Sequence, residues 1–231
     1  MEAEPERWKR AAAERALALV GDGMLLGLGT GSTAHHFITG LRDLTARGFH
    51  LRGLATSLAS AELAREAGVK MLPVEAPLSR SLDLAVDGAD EIAPDLSLVK
   101  GRGGAMFREK LVALNTERFV VIADASKLVD RLGRGVVPVE VAPFLWPQTA
   151  RRLEALGASW LLRGGTEQPY LTDNGNLILD LSFAGGLKQP EQTAALLKSV
   201  PGVIEHGLFC GLTQAAIVAG PGGLQILGSL A

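Results

Sequence analysis

The feature that most constrains this chain is a repeated grammar in its first half: a short apolar run, an abrupt Gly-rich or acidic turn, then a helical stripe. Met24-Leu25-Leu26 enters Gly27-Leu28-Gly29-Thr30-Gly31-Ser32-Thr33, and Ala34, Phe37, Ile38, Leu41 and Leu44 follow at helical spacing, closed by Gly48. Leu51 to Ala55 followed by Ser57 to Ala67 repeats the unit. Leu82 to Val86 ends in Asp87-Gly88-Ala89-Asp90-Glu91, and Leu96 to Val99 leads into Lys100-Gly101-Arg102-Gly103-Gly104 and a helix near 105–114. Phe119 to Ala123 is a further buried strand. Strands alternating with helices in this way predict an α/β fold, an open and mostly parallel Rossmann-like sheet with helices on both faces.

Past about Gly133 the order changes. Val137–Val141, Gln148–Leu156, Ser159–Leu162, Leu177–Leu181, Glu191–Ser199 and Val203–Phe209 read as strand, helix, strand, strand, helix, strand, with Asn174-Gly175 as a hairpin signal. This is the order of a ferredoxin-like α+β unit. Ala215–Ala219 returns to the first sheet, so the second domain reads as an insertion. The expected division is 1–132 with 211–231 for the Rossmann-like domain and 133–210 for the smaller one.

Composition removes several function classes. At 231 residues the chain buries a sizeable core without disulfides or a structural metal, and its single cysteine, Cys210, excludes an intramolecular disulfide. The net charge of −2 argues against general nucleic-acid or anionic-membrane binding, and aromatics at 5% are too few for a base-stacking surface. No apolar run approaches the ~18 residues of a membrane-spanning helix, and the charged opening MEAEPERWKR lacks the apolar stretch of a signal peptide. The expectation is a cytoplasmic protein with no membrane or nucleic-acid partner.

In an open parallel sheet, ligands bind outside the carboxyl ends of the strands. The polar segments Thr30–Thr33, Thr56–Ser60, Asp87–Glu91 and Lys100–Gly104 all follow strands and are expected to converge on one cleft. The run Gly27 to Thr33 lacks the Gly-Lys-Ser/Thr ending of a phosphate-binding nucleotide loop. It also lacks the third glycine and downstream acid of a dinucleotide fingerprint. What remains is a helix N-terminus with small residues and hydroxyls, suited to a phosphate or carboxylate; the alternative is a tight turn with a hydroxyl cap. Asp87 and Asp90 read either as paired acids for proton transfer or hydroxyl recognition, or as a solvated turn. Lys100 suits a developing negative charge and Glu109 a desolvated base, against the alternative of an ordinary surface helix charge. His35 and His36 diverge on a helix and make a poor metal pair, so neither a metal nor a cofactor is expected.

Taken together, Gly27–Thr33, Asp87–Glu91, Lys100-Gly-x-Gly-Gly-Ala105-x-x-Arg108-Glu109-Lys110, Ala123-Asp124-Ala125-Ser126-Lys127 and Thr172-Asp173-Asn174-Gly175-Asn176 resemble ribose-5-phosphate isomerase, type A, in order and spacing. The resemblance covers nearly the whole chain. It implies an aldose–ketose isomerase working through an enediol or enediolate on a sugar phosphate, without metal or organic cofactor, as a homo-oligomer (dimer or tetramer). It implies Glu109 as the base, Asp87 and Asp90 on the sugar oxygens, and Lys100 at the enediolate oxygen. Thr30, Gly31, Ser32, Thr33 and Lys127 would hold phosphate, Lys9 is a further candidate, and Gly88, Ala89, Gly101, Arg102 and Gly103 would line the substrate. Two positions depart from the family pattern: Leu58, where an Asp is common, and Arg102, in a segment that is often all glycine and where it would add positive charge. The competing readings are a sugar-phosphate-sensing domain, for which no helix-turn-helix or basic stretch is present, and an aminosugar-phosphate deaminase or sugar-lactone hydrolase.

Overall fold

The structure, a computed structural model, describes residues 3–230. In chain order its elements are α1 (Glu4–Leu17), β1 (Leu25–Leu28), α2 (Ser32–Ala46), β2 (Arg52–Ala55), α3 (Leu58–Glu66), β3 (Lys70–Met71), β4 (Leu84–Asp87), β5 (Glu91–Ile92), β6 (Leu98–Val99), α4 (Met106–Leu114) and β7 (Phe119–Asp124). After a 3-10 turn (Ala125–Lys127) come β8 (Val137–Val141), α5 (Trp146–Glu154), β9 (Ser159–Leu162), β10 (Leu177–Ser182), α6 (Pro190–Ser199), β11 (Val203–His206), β12 (Leu208–Phe209), β13 (Ala215–Gly220) and β14 (Gly223–Gly228). The chain divides into two compact units: one takes residues up to Ala89, Arg108–Lys127 and Leu212 onward, the other Asp90–Phe107 and Leu128–Gly211.

The first unit is built on a seven-stranded sheet in the order β14-β13-β7-β4-β1-β2-β3. It is parallel from β3 to β13, and only the edge pair β13–β14 is antiparallel. Strand side chains alternate between faces, so Leu26, Leu28, Leu84, Val86, Val120, Ile122 and Ile217 share one face. Phe37, Ile38 and Leu41 of α2 and the small Ala12, Ala13 and Ala16 of α1 pack in the same core. Each fully buried Leu or Ile there contributes roughly 1.5–3 kcal/mol relative to exposure. On the opposite face, Gly27 leaves room for Val112 of α4, whose Cγ1 would lie 2.5 Å from a Cβ at that position. The strand order reverses direction of growth at β1, making β1 and β4 the switch point at which such sheets bind ligands.

The second unit contains the β-α-β-β-α-β run β8-α5-β9-β10-α6-β11. Its sheet is antiparallel, in the order β11-β8-β10-β9. Val137, Val139, Val141, Leu177, Leu179 and Leu181 face Ala150, Leu153 and Leu197 of its helices.

Three sequence expectations change here. The run Leu96–Val99 does not enter the parallel sheet: β6 pairs antiparallel with β5 and β12 in a separate three-stranded sheet. The expected strand Val203–Phe209 breaks at Gly207 into β11 and β12, which belong to different sheets. Relative to the expected division at 132/133, residues 90–107 and 128–132 group with the second unit, because Ala93, Val99 and Leu132 pack into that unit's core.

Candidate active site

In the first unit, the carboxyl ends of the adjacent parallel strands β7, β4, β1 and β2 carry Lys127, Asp87, Thr30 and Thr56 in a row. The turn after β1 is shaped by two glycines. A Cβ at Gly29 would sit 2.2 Å from Asp87 Oδ1 and 2.6 Å from its Cα, so only glycine lets the turn approach β4. Gly31 precedes α2 with φ 107° and no side-chain cap, which leaves the first-turn N–H groups of Ser32, Thr33 and Ala34 outside the helical ladder and suited to an anion. Thr30 is differently engaged. Its N–H donates to Asp87 Oδ1 at 3.0 Å, and its hydroxyl lies 2.6 Å from Thr56 Oγ1 and 3.3 Å from Ser60 Oγ. Ser60 Oγ in turn donates to the Gly29 carbonyl at 2.7 Å, and Ser57 Oγ donates to Ser60 Oγ at 2.9 Å. Thr30 therefore ties the anion turn to α3 and to Asp87. An open cavity of about 770 Å³ borders this turn, lined by Thr30, Gly31, Ser32, His35, Ser57 and Ser60 among others.

Asp87 is buried, 2% exposed, and Gly88 N–H also donates to its Oδ1, at 2.7 Å; Gly88 and Ala89 are half-buried beside it. Glu109, on α4, is 5% exposed, which rules out the solvated surface charge that an Arg-Glu-Lys run usually denotes. Lys127 lies half-buried in the 3-10 turn after β7, which Asp124 organises by accepting from the backbone N–H and the hydroxyl of Ser126. Lys9 pairs with Glu6 at 2.6 Å, and Glu6 also takes His36 Nε2 at 3.1 Å. Glu6 thus joins Lys9 of its own helix to His36 of α2. Leu58 opens α3 and is 65% exposed.

In the second unit, Asp90 and the Lys100–Gly104 loop lie together. Asp90 Oδ2 accepts the Arg102 N–H at 2.9 Å. Lys100 is 2% exposed, donates its N–H to the Gly207 carbonyl at 2.8 Å, and holds its ammonium 5.6 Å from the Phe209 ring centre. Gly101 is buried, while Arg102 and Gly103 are exposed. The Arg102 guanidinium turns onto Glu91 at 3.0 Å, so the positive charge expected from this departure is matched by a buried acid. Glu91, quoted in the sequence only as the end of the Asp87–Glu91 segment, has a bracing role that the sequence does not show. It is 3% exposed and also accepts N–H groups of Gly133 and Gly135 at 2.7 and 2.6 Å, fixing a turn more than forty residues away. An acid at the start of a two-residue strand gives no local sign of such a role. Among the described residues no group of three or more His, Cys, Asp and Glu is arranged to hold a metal ion.

Taken separately, the buried acids suit proton transfer next to a carbonyl, the buried lysine suits a developing negative charge, and the uncapped start of α2 suits an anion such as a phosphate. Residues 52–223 match the family ribose 5-phosphate isomerase A (phosphoriboisomerase A). The ribose-5-phosphate isomerase A of Roseiflexus castenholzii is 50% identical over 221 residues, covering 94% of this chain and 93% of that protein. A D-ribose-5-phosphate isomerase solved in complex with phospho-erythronic acid is 37% identical with a TM-score of 0.92, covering 98% of this chain and 100% of that one. The ribose 5-phosphate isomerase of Plasmodium falciparum, at 31% identity, has the same TM-score and coverage. With Asp87, Lys100 and Glu109 all inside the matched segment, the chain belongs to the ribose-5-phosphate isomerase A family.

Proposed function

We propose that this chain interconverts ribose 5-phosphate and ribulose 5-phosphate through an enediolate, with Glu109 as the base. The observation that carries the reading is the burial of three charged side chains, Asp87, Lys100 and Glu109, at 2%, 2% and 5% exposure. Burying charge is costly, and here the charges match the needs of one reaction. Glu109 takes the proton from C2 of the open-chain aldose, the C2–H electron pair forms the C1=C2 bond, and the carbonyl electrons move onto O1, where Lys100 balances the charge. Glu109 returns the proton to C1 while the O2 hydroxyl gives up its own proton and O1 gains one, with Asp87 and Asp90 handling these oxygens. The first-turn N–H groups of Ser32 and Thr33, with Lys127, hold the phosphate.

Phospho-erythronic acid in the related enzyme supports the same chemistry. It joins a phosphate to a planar carboxylate whose paired oxygens imitate the enediolate edge. A homo-oligomer is proposed as well, supported by the apolar Leu224 and Ile226 exposed on edge strand β14. The cytoplasmic reading rests on composition; among the described residues no helix is long and apolar enough to cross a membrane.

The test is to incubate the purified protein with ribose 5-phosphate and EDTA. Ribulose 5-phosphate should form, and chelation should leave the rate unchanged. Saturable binding of ribose 5-phosphate without turnover would support the sensor reading instead.

A further inference from the structure

Two residues outside the proposed chemistry grip the Lys100–Gly104 loop from one side. Arg163, directly after β9, makes a forked ion pair with Asp180 of β10, Nε to Oδ2 at 2.9 Å and Nη2 to Oδ1 at 2.5 Å. Both side chains are 17% exposed. The remaining nitrogen, Nη1, donates to the carbonyls of Gly101 and Arg102 at 3.2 and 3.0 Å. Tyr170 completes the grip. Its N–H donates to the Arg163 carbonyl at 2.9 Å, its ring centre lies 5.8 Å from the Arg163 guanidinium carbon, and its hydroxyl is 3.5 Å from the Gly103 carbonyl. A Cβ at Gly104, where φ is +85°, would fall 2.3 Å from that hydroxyl.

Three successive carbonyls are thus turned toward one cation and one phenol. A planar trans peptide points its N–H opposite to its carbonyl, so the N–H groups of Arg102 and Gly103 are sent the other way. The first of them reaches Asp90 Oδ2 at 2.9 Å. Hydrogen bonds from a guanidinium are roughly twice as strong as neutral ones and polarise the peptides they touch, strengthening the outward N–H donors. The planar fork matters here: it serves Asp180 with two nitrogens while a third serves the loop, a division a lysine cannot reproduce.

We propose that Arg163, locked by Asp180, is a positioning residue that orients the Lys100–Gly104 loop and Asp90 for turnover. The link to turnover rests on the reading that Asp90 and Lys100 act on the sugar oxygens; the orientation of the loop does not. Misplacing a reacting group by about 1 Å can cost on the order of 10²-fold in rate, so a small slackening of this loop is visible in kcat.

The test is Arg163→Lys, read by amide hydrogen exchange of Arg102 and Gly104 and by steady-state kinetics. Exchange at these two amides should rise at least about tenfold while the melting temperature holds, and kcat should fall about 10- to 100-fold. The inhibition constant of inorganic phosphate should stay at its wild-type value, since the Arg163 side chain hydrogen-bonds Asp180, Gly101 and Arg102 and none of the residues proposed to hold phosphate. Unchanged exchange and kcat would overturn the proposal, as would a loss of kcat matched by weaker phosphate binding and a falling melting temperature. Should Arg163→Lys fold poorly, Arg163→Met/Asp180→Leu removes both charges together without leaving a half-buried carboxylate unpaired, and the same readouts apply. Wild-type protein inactive on ribose 5-phosphate would refute the functional reading alone, and the exchange rates would still decide whether Arg163 orients the loop.

Discussion

The Thr30 N–H donates to Asp87 Oδ1 at 3.0 Å, joining the glycine-rich turn after β1 to the acid that ends β4. Gly88 N–H donates to the same oxygen at 2.7 Å, so two backbone donors fix the carboxylate plane. The turn proposed to hold phosphate and the acid proposed to act on the sugar oxygens are therefore set by one hydrogen-bonded unit at the switch point of the sheet.

Gly29→Ala tests that coupling. The new methyl group would need the space of Asp87 Oδ1 and Cα, at 2.2 and 2.6 Å, and the strand backbone cannot yield as a flexible side chain would. A drop in kcat of at least about tenfold is expected, with a smaller change in KM. Kinetics with a full substrate range check it; wild-type kcat would show that Asp87 tolerates displacement.

The phosphate assignment predicts a different failure. Lys127→Ala should chiefly raise KM, because phosphate binding is shared by ground and transition states, and it should weaken competitive inhibition by inorganic phosphate in parallel. Unaltered KM and inhibition would place the phosphate away from the turn after β7.

Asp83 links stability to pH. Hydrogen bonding from the Arg80 guanidinium, then the Leu25 N–H at 2.6 Å, holds its carboxyl below the ordinary range. A depressed folded value means the stabilisation is present above the unfolded carboxylate value and is lost as pH falls through the folded one. Asp83→Ala should cost about 1 kcal/mol near neutral pH, the pair being partly solvent-screened. The deficit should shrink at about pH 2.5 in urea unfolding; an equal deficit at both pH values would show that the charge is not what stabilises.

The parts of the fold that were legible in sequence are those with local periodicity. The unit β1-turn-α2 announces itself through Leu25–Leu28, Gly29–Gly31 and the stripe Phe37, Ile38, Leu41, and the β8-to-β11 order is readable from alternation alone. The three-stranded sheet was not legible, because its strands are two residues long and β12 joins it by pairing with β6 over a hundred residues of chain. Edge strand β14 escaped because Leu224 and Ile226 lie exposed rather than marking a core. In the site, Thr30, Asp87 and Lys100 stand beside glycines at strand ends and drew notice for that reason. Arg163, Asp180 and Glu91 act through partners 11 to 62 residues away, and no motif records such a distance. The ion pairs of Lys9 with Glu6 and of Arg102 with Glu91 are likewise invisible in any motif.

The most direct measurement is solvent deuterium incorporation at the substrate α-carbon by wild type and Glu109→Gln in D₂O at saturating ribose 5-phosphate. Gln keeps the size of the buried side chain but cannot accept the proton. Wild type should wash deuterium into substrate and product, and Glu109→Gln should lose wash-in and turnover together while still binding phosphate. Near-normal deuterium wash-in by Glu109→Gln would contradict the account and move the base to Asp87 or Asp90.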